Sequence, residues 1–278
     1  NRTGISYCGF WSNCQGNDNS GAIQGCGALS TCVNNTNNSG TQTCGGILSN
    51  CTNNTNNGAS QTCGTASSCT NNTNNGTSQD CGLLANCKNN TNNGVTQDCG
   101  VASTCANNTN NGLFVNCGVL STCAGNTNNG LSQDCGVAST CKNQTNNGLS
   151  QNCGTLSDCK NATNNGISQD CGVASNCNNS TNNGVAISCG TLSDCSKTIN
   201  NGGVIQCGVA SNCKGATNNG LLLVCGVLSN CNGAATGAFT SICGDTPGCT
   251  AGVPDNFILI CGTASDCSTT YKPCATPS

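Results

Sequence analysis

The residues in this chain best placed to do chemistry are its cysteines, 31 in 278 residues. Three chemistries are open to so many thiols: metal binding, nucleophilic attack and disulfide formation. Zinc sites use close pairs such as C-x2-C, commonly with histidine. Here the pairs are spaced C-x5-C and the chain has no histidine, so a metal site is not expected. A cysteine content of this order marks a disulfide scaffold. A reducing cytosol would keep the thiols free, so the expected location is secreted or at the cell surface.

The first cysteine of each pair stands at 8, 26, 44, 63, 81, 99, 117, 135, 153, 171, 189, 207, 225, 243 and 261. The second stands at 14, 32, 51, 69, 87, 105, 123, 141, 159, 177, 195, 213, 231, 249 and 267. Bonding up either rank would strand one member of an odd set, whereas bonding within each pair uses all thirty. The expected bridges are therefore Cys63–Cys69, Cys81–Cys87, Cys99–Cys105, Cys117–Cys123, Cys135–Cys141, Cys153–Cys159 and their equivalents. A straight strand would hold such cysteines about 20 Å apart. A disulfide needs Cα atoms within about 7 Å. The segment C-G-x-x-S-x-C must bend back, helped by its glycine. Cys274 is left over, for an intermolecular bond or a local exchange of partners.

A second chemistry is modification. N-x-T recurs at one place in the repeat, at Asn34, Asn53, Asn71, Asn89, Asn107, Asn143, Asn161 and Asn179, and again at Asn1. Each is a glycosylation acceptor if it faces solvent. A glycan coat would keep a chain with only 6% charged residues soluble. The alternative is a buried amide ladder, which the double Asn at Asn92-Asn93 suits. Gly125, Lys197 and Gly215 stand where the sequon Asn would fall, so not every coil needs it. Acids are few and single, as at Asp80, Asp98, Asp134 and Asp170. No triad, phosphate loop or carboxylate cluster forms, so neither an enzyme nor a cofactor is expected.

The element that must position these groups is an 18-residue unit, C-G-V-A-S-T-C-K-N-N-T-N-N-G-L-S-Q-D, with one extra residue in the unit starting at Cys44. Asn, Gly, Ser and Thr are poor helix formers. The unit fits three short strands joined by corners, with Asn-Asn-Gly at a corner needing positive φ. The expected fold is all-β: a single-stranded parallel β-solenoid of about 15 coils over 1–267, one in-coil disulfide per coil, then a tail over 268–278. Stacked at about 4.8 Å, fifteen coils make a rod of about 70 Å. One position alternates Leu48, Ala66, Leu84, Ala102, Leu120, Ala138, Leu156, Ala174, Leu192, Ala210 and Leu228. The leading expectation is interdigitated core packing, and the second is a knobs-and-holes face for a partner chain.

A disulfide-braced solenoid with a Thr rank resembles the β-helical antifreeze proteins of insects in architecture. Those present T-x-T on a flat face that binds ice. Here the rank carries one Thr per coil, as at Thr55, Thr73, Thr91 and Thr109, in N-x-T-x-N. The motif therefore departs from theirs, and a glycan on the Asn would keep ice away.

Net charge is −3, which argues against a nucleic-acid partner. No apolar run reaches membrane-spanning length, and Asn1 reads as a processed N-terminus. Coils without caps invite head-to-tail homopolymers. Phe10 and Trp11 near one end, and Leu222, Val224, Phe257 and Leu259 near the other, are the expected assembly interface. The expected function is a structural subunit of an extracellular filament, glycosylated and assembling end to end. Ice binding and adhesion to glycans or surfaces are the alternatives.

Overall fold

The computed structural model describes residues 4–231, 234–236 and 259–261. The chain divides into two compact units, Asn1–Gly148 and Leu149–Ser278. Each is a parallel β-solenoid, and no residue described is helical. Numbering a coil from its first cysteine, strands run through positions 11–12 and 16–18, and a shorter pairing lies near positions 6–8. In the first unit the register is one repeat per coil: Thr73 pairs with Thr91 and Asn74 with Asn92, while Gln79 pairs with Gln97. The position 6–8 pairing is a regular strand only in the early coils, such as Ser68–Thr70. Later it thins to single bridges, such as Asn86 to Thr104.

Thirteen bonded pairs close thirteen coils among the described residues, from Cys8–Cys14 to Cys225–Cys231. Among the described residues the two units together hold about twelve to thirteen coils, against the fifteen expected over 1–267. After Leu222–Cys225, the next strand in its sheet is Leu259–Cys261, with Cys225 opposite Cys261. That is two repeats further on, where strict repetition would put one. The tail lies outside the described residues.

The bend that closes each bridge comes from a residue in the left-handed region at position 4. Leu84 has φ 55° and Ala102 φ 52°, and Cα atoms of the paired cysteines sit 5.9–6.4 Å apart. The extra residue after Cys44 is absorbed in this corner, since Cys44 and Cys51 still lie 6.0 Å apart. This corrects the core reading of the Leu/Ala rank. A position-4 side chain at a left-handed corner points away from the stack, and the six leucines are 58–63% exposed.

The Asn-Asn-Gly corner also differs from expectation. Neither Asn93 nor Gly94 has positive φ. Glycine is required there because a Cβ on Gly94 would overlap the carbonyl oxygen of Gly76 in the coil before. The left-handed residues are at positions 4 and 9, and in several coils the glycine at position 2, such as Gly100.

The interior is one layer wide and largely polar. Cysteine pairs fill one side, with Cys81 and Cys87 both buried. Position 12 forms an Asn ladder: the Asn74 Nδ2 donates to Asn92 Oδ1 (2.8 Å), and the Asn92 Nδ2 donates to Asn110 Oδ1 (2.7 Å). Position 17 forms a Gln ladder in the first coils, where Gln61 donates to Gln42 at 2.9 Å and Gln79 to Gln61 at 3.0 Å. Position 10 ties coil to coil: Asn90 donates to the carbonyl of Cys69 (2.9 Å) and accepts the N–H of Asn72 (2.8 Å). In the second unit two of these ranks turn apolar in part, with Ile187, Ile205 and Leu223 at position 17 and Ala162 and Ala216 at position 10, while the position-12 Asn ladder continues from Asn164 to Asn218.

Replacing Asn92 by Leu orphans the Asn74 Nδ2 and the Gly94 N–H and leaves Asn110 Oδ1 with the Gly112 N–H alone. At about 1–3 kcal/mol for each buried orphan, Asn92→Leu should cost on the order of 3 kcal/mol or more. Its denaturant midpoint should fall accordingly. Unchanged unfolding would show that the ladder does not stabilise the stack.

Candidate functional site: the Asn-x-Thr-x-Asn face

One face of each coil carries the sequence N-x-T-x-N, and the fold alternates it cleanly. In the coil of Cys81, Asn89 is exposed, Asn90 buried, Thr91 half-buried, Asn92 buried and Asn93 exposed. The three outward residues stack on their counterparts to make three parallel ranks at about the 4.8 Å strand spacing.

The sequon Asn occupies position 9, and all eight solenoid sequons have φ 54–59°. Asn is the side-chain-bearing residue best suited to that conformation. Its backbone is tied to the next coil, as in the Asn71 N–H donating to the Lys88 carbonyl at 3.0 Å. Its carboxamide reaches solvent in every one of the eight coils. Where Gly125 replaces the Asn, φ stays at 70°, so the coil keeps its shape without the acceptor. Asn1 lies outside the described residues.

Position 13 forms an outer ladder. Asn75 donates to Asn57, Asn93 to Asn75 and Asn111 to Asn93, each at 2.8 Å. These amides spend one N–H and one lone pair on each other, so their orientation is fixed although they are exposed. Beside them, Gly58, Gly76 and Gly94 floor an open trough of about 610 Å³ walled by Thr77, Val95 and Leu113.

The acids do other work. Asp80 and Asp98 each accept the N–H of the glycine two residues on, at 2.8 and 2.9 Å. Asn116 and Asn152 make the same bond to Gly118 and Gly154 at 2.9 Å. The rank therefore shapes a turn, and Asn serves as well as Asp. The signal was present in the sequence as Asx two residues before each Gly.

The residues expected at an assembly interface are placed unevenly. Phe10 and Trp11 are 65% and 75% exposed, their rings 5.6 Å apart. Leu222 and Val224 face outward, half-buried, on either side of buried Leu223. Leu259 is in a strand, while Phe257 and Cys274 lie outside the described residues. Sequence reasoning missed two apolar ranks on the surface. One is position 3, as at Val101, Val119 and Val137; the other is position 15, as at Val95, Leu113 and Leu131. Their mark in the sequence was an apolar residue after each Gly, at a place where alternation gives no inward partner.

Among the described residues, the sulfur groups close enough to share an ion are cysteines such as Cys81, Cys87 and Cys105. All three are bonded in disulfides, which leaves no thiolate to ligate. The bonded pairs indicate an oxidising, non-cytoplasmic compartment. No helix among the described residues is long and apolar enough to cross a membrane. No protein-family model, curated protein or solved structure matches the chain.

Glycans are bulky, and neighbouring acceptors stand only about 4.8 Å apart. In protein secreted from a glycosylating host, peptide mapping should find sugar on the rank Asn53, Asn71, Asn89 and Asn107. Adjacent coils should seldom be occupied together. Intact mass would then show fewer chains than sequons, whereas a single unmodified mass would remove the glycan reading.

Proposed function

We propose that the chain is a structural subunit of an extracellular assembly, glycosylated on its Asn rank and joined end to end, with no catalytic role. The observation that carries this reading is the distribution of side chains. The interior is filled by cystine and amide, while Val and Leu stand outward in coil after coil. Apolar ranks left outside a polar core are the mark of a surface made to be covered. End-to-end joining draws on the repetition itself. The strand edge that one coil offers is the edge the next accepts, and a contact of that kind need not close. Covalent bracing of every coil suits a part that bears load rather than one that moves.

Ice binding is the second reading, favoured by the outward Thr rank Thr55, Thr73, Thr91 and Thr109, held in register by pairing. The sequon beside it weighs against that use.

Negative-stain imaging of the secreted protein, with and without reductant, separates the two. Filaments of uniform width are the expected result. Isolated particles that nonetheless depress the freezing point below the melting point would defeat the structural reading and establish the second.

A further inference from the structure

The Leu/Ala corner carries information that the fold does not need. Position 4 demands a left-handed backbone, which is unfavourable for a residue such as Leu. The same conformation recurs at position 9, and there the chain uses Asn, Gly or Lys. Asn would serve position 4 equally well for shape. Instead the first unit places Trp11, Leu29, Leu48, Leu84 and Leu120 there, each exposed, and from Leu48 on the leucines alternate with Ala66, Ala102 and Ala138. The contacts that would reward these leucines are not inside the coil.

The alternation has a period of two coils, about 9.6 Å at strand spacing. A lipid surface or a general apolar groove does not require that period. A partner must bring knobs and gaps at the same two-coil repeat, and the surface of this molecule that has it is this same rank. We propose that a second copy of this chain packs its position-4 corner against the first, each Leu entering the gap over an Ala of its partner. The inference rests on the assembly reading above and names its lateral partner and register.

Charge decides the orientation. Within the first unit the corner is flanked on one side by the position-18 acids Asp80, Asp98 and Asp134, and on the other by position 8, with Lys88 and Lys142. Antiparallel copies would set acid against acid and lysine against lysine. Parallel copies set the acid flank of each against the lysine flank of the other. From Leu48 on, a stagger of one coil then brings each Leu level with an Ala.

The test is sedimentation of the full secreted chain, comparing the native protein with Leu48→Asn/Leu84→Asn and, separately, with Ala102→Leu. Unpolymerised native chain should sediment as a lateral pair, and its filaments should be two chains wide. Asn relieves the left-handed strain, so the double variant should unfold no more easily than the native chain while its self-association weakens at least about tenfold. A destabilised double variant would show that the leucines serve the fold, and would overturn the proposal. Ala102→Leu adds apolar surface but fills a gap, and it should also weaken the pair. Stronger association in that variant would mean unspecific stickiness and would likewise overturn it. Filaments that persist in the double variant with halved width would separate the lateral contact from end-to-end joining. Pairing without any filament would refute the latter and leave the former standing.

Discussion

Everything in this molecule follows from the need of a buried carboxamide for a partner one coil away. In most coils of the first unit the interior is lined by side-chain amides as well as cystines. A buried amide without partners costs more than it could return. The nearest group of matching geometry is the same amide in the next coil, about 4.8 Å off. The residue at position 12 must therefore be Asn wherever its neighbours are Asn, as it is from Asn19 through Asn128 in the first unit. The repeat is the consequence of that bond rather than a device added to it.

The Gln rank shows what happens where the rule is relaxed. From Gln24 to Gln97 each amide finds the next. Val115 then breaks the column, and buried Gln133, in the coil after it, has no partner for either end of its amide. In the second unit Gln151 and Gln169 continue the rank, likewise without partners, before it becomes Ile187, Ile205 and Leu223, all wholly buried. There the interior is held by apolar contact, and position 10 loses its Asn as well. Ser180 and Thr198 keep only a 3.3 Å bond to the carbonyl of the cysteine below. The two units are thus closed by the same disulfides and keep the same Asn column at position 12, while the Gln rank of the later coils is filled by apolar side chains.

Much of this could be read before any coordinates. Cysteine spacing and the odd count in each rank led to in-coil bridges, and the sequon requirement put Asn89 outside; of Asn92 and Asn93, read together as a buried ladder, only Asn92 is buried. What could not be read was backbone conformation. Leu and Ala are ordinarily disfavoured at positive φ, so Leu84 and Ala102 looked like core, and Asn-Asn-Gly looked like the natural left-handed corner. The glycine there answers instead to a close approach between neighbouring coils, which depends on a stacking distance that no single repeat records. The turn role of Asp80 was legible in principle, but a lone Asx before Gly is too common to stand out.

The ladders also run in opposing senses. The inner Asn amides donate toward the C-terminus, as from Asn74 to Asn92. The outer Asn amides donate toward the N-terminus, as from Asn93 to Asn75, and the Gln amides do the same. Aligned peptide groups in a helix sum to a macrodipole with charged ends. Here one column of amide dipoles offsets another within each coil. The inner and outer Asn columns therefore lengthen together without summing as the peptides of a helix do.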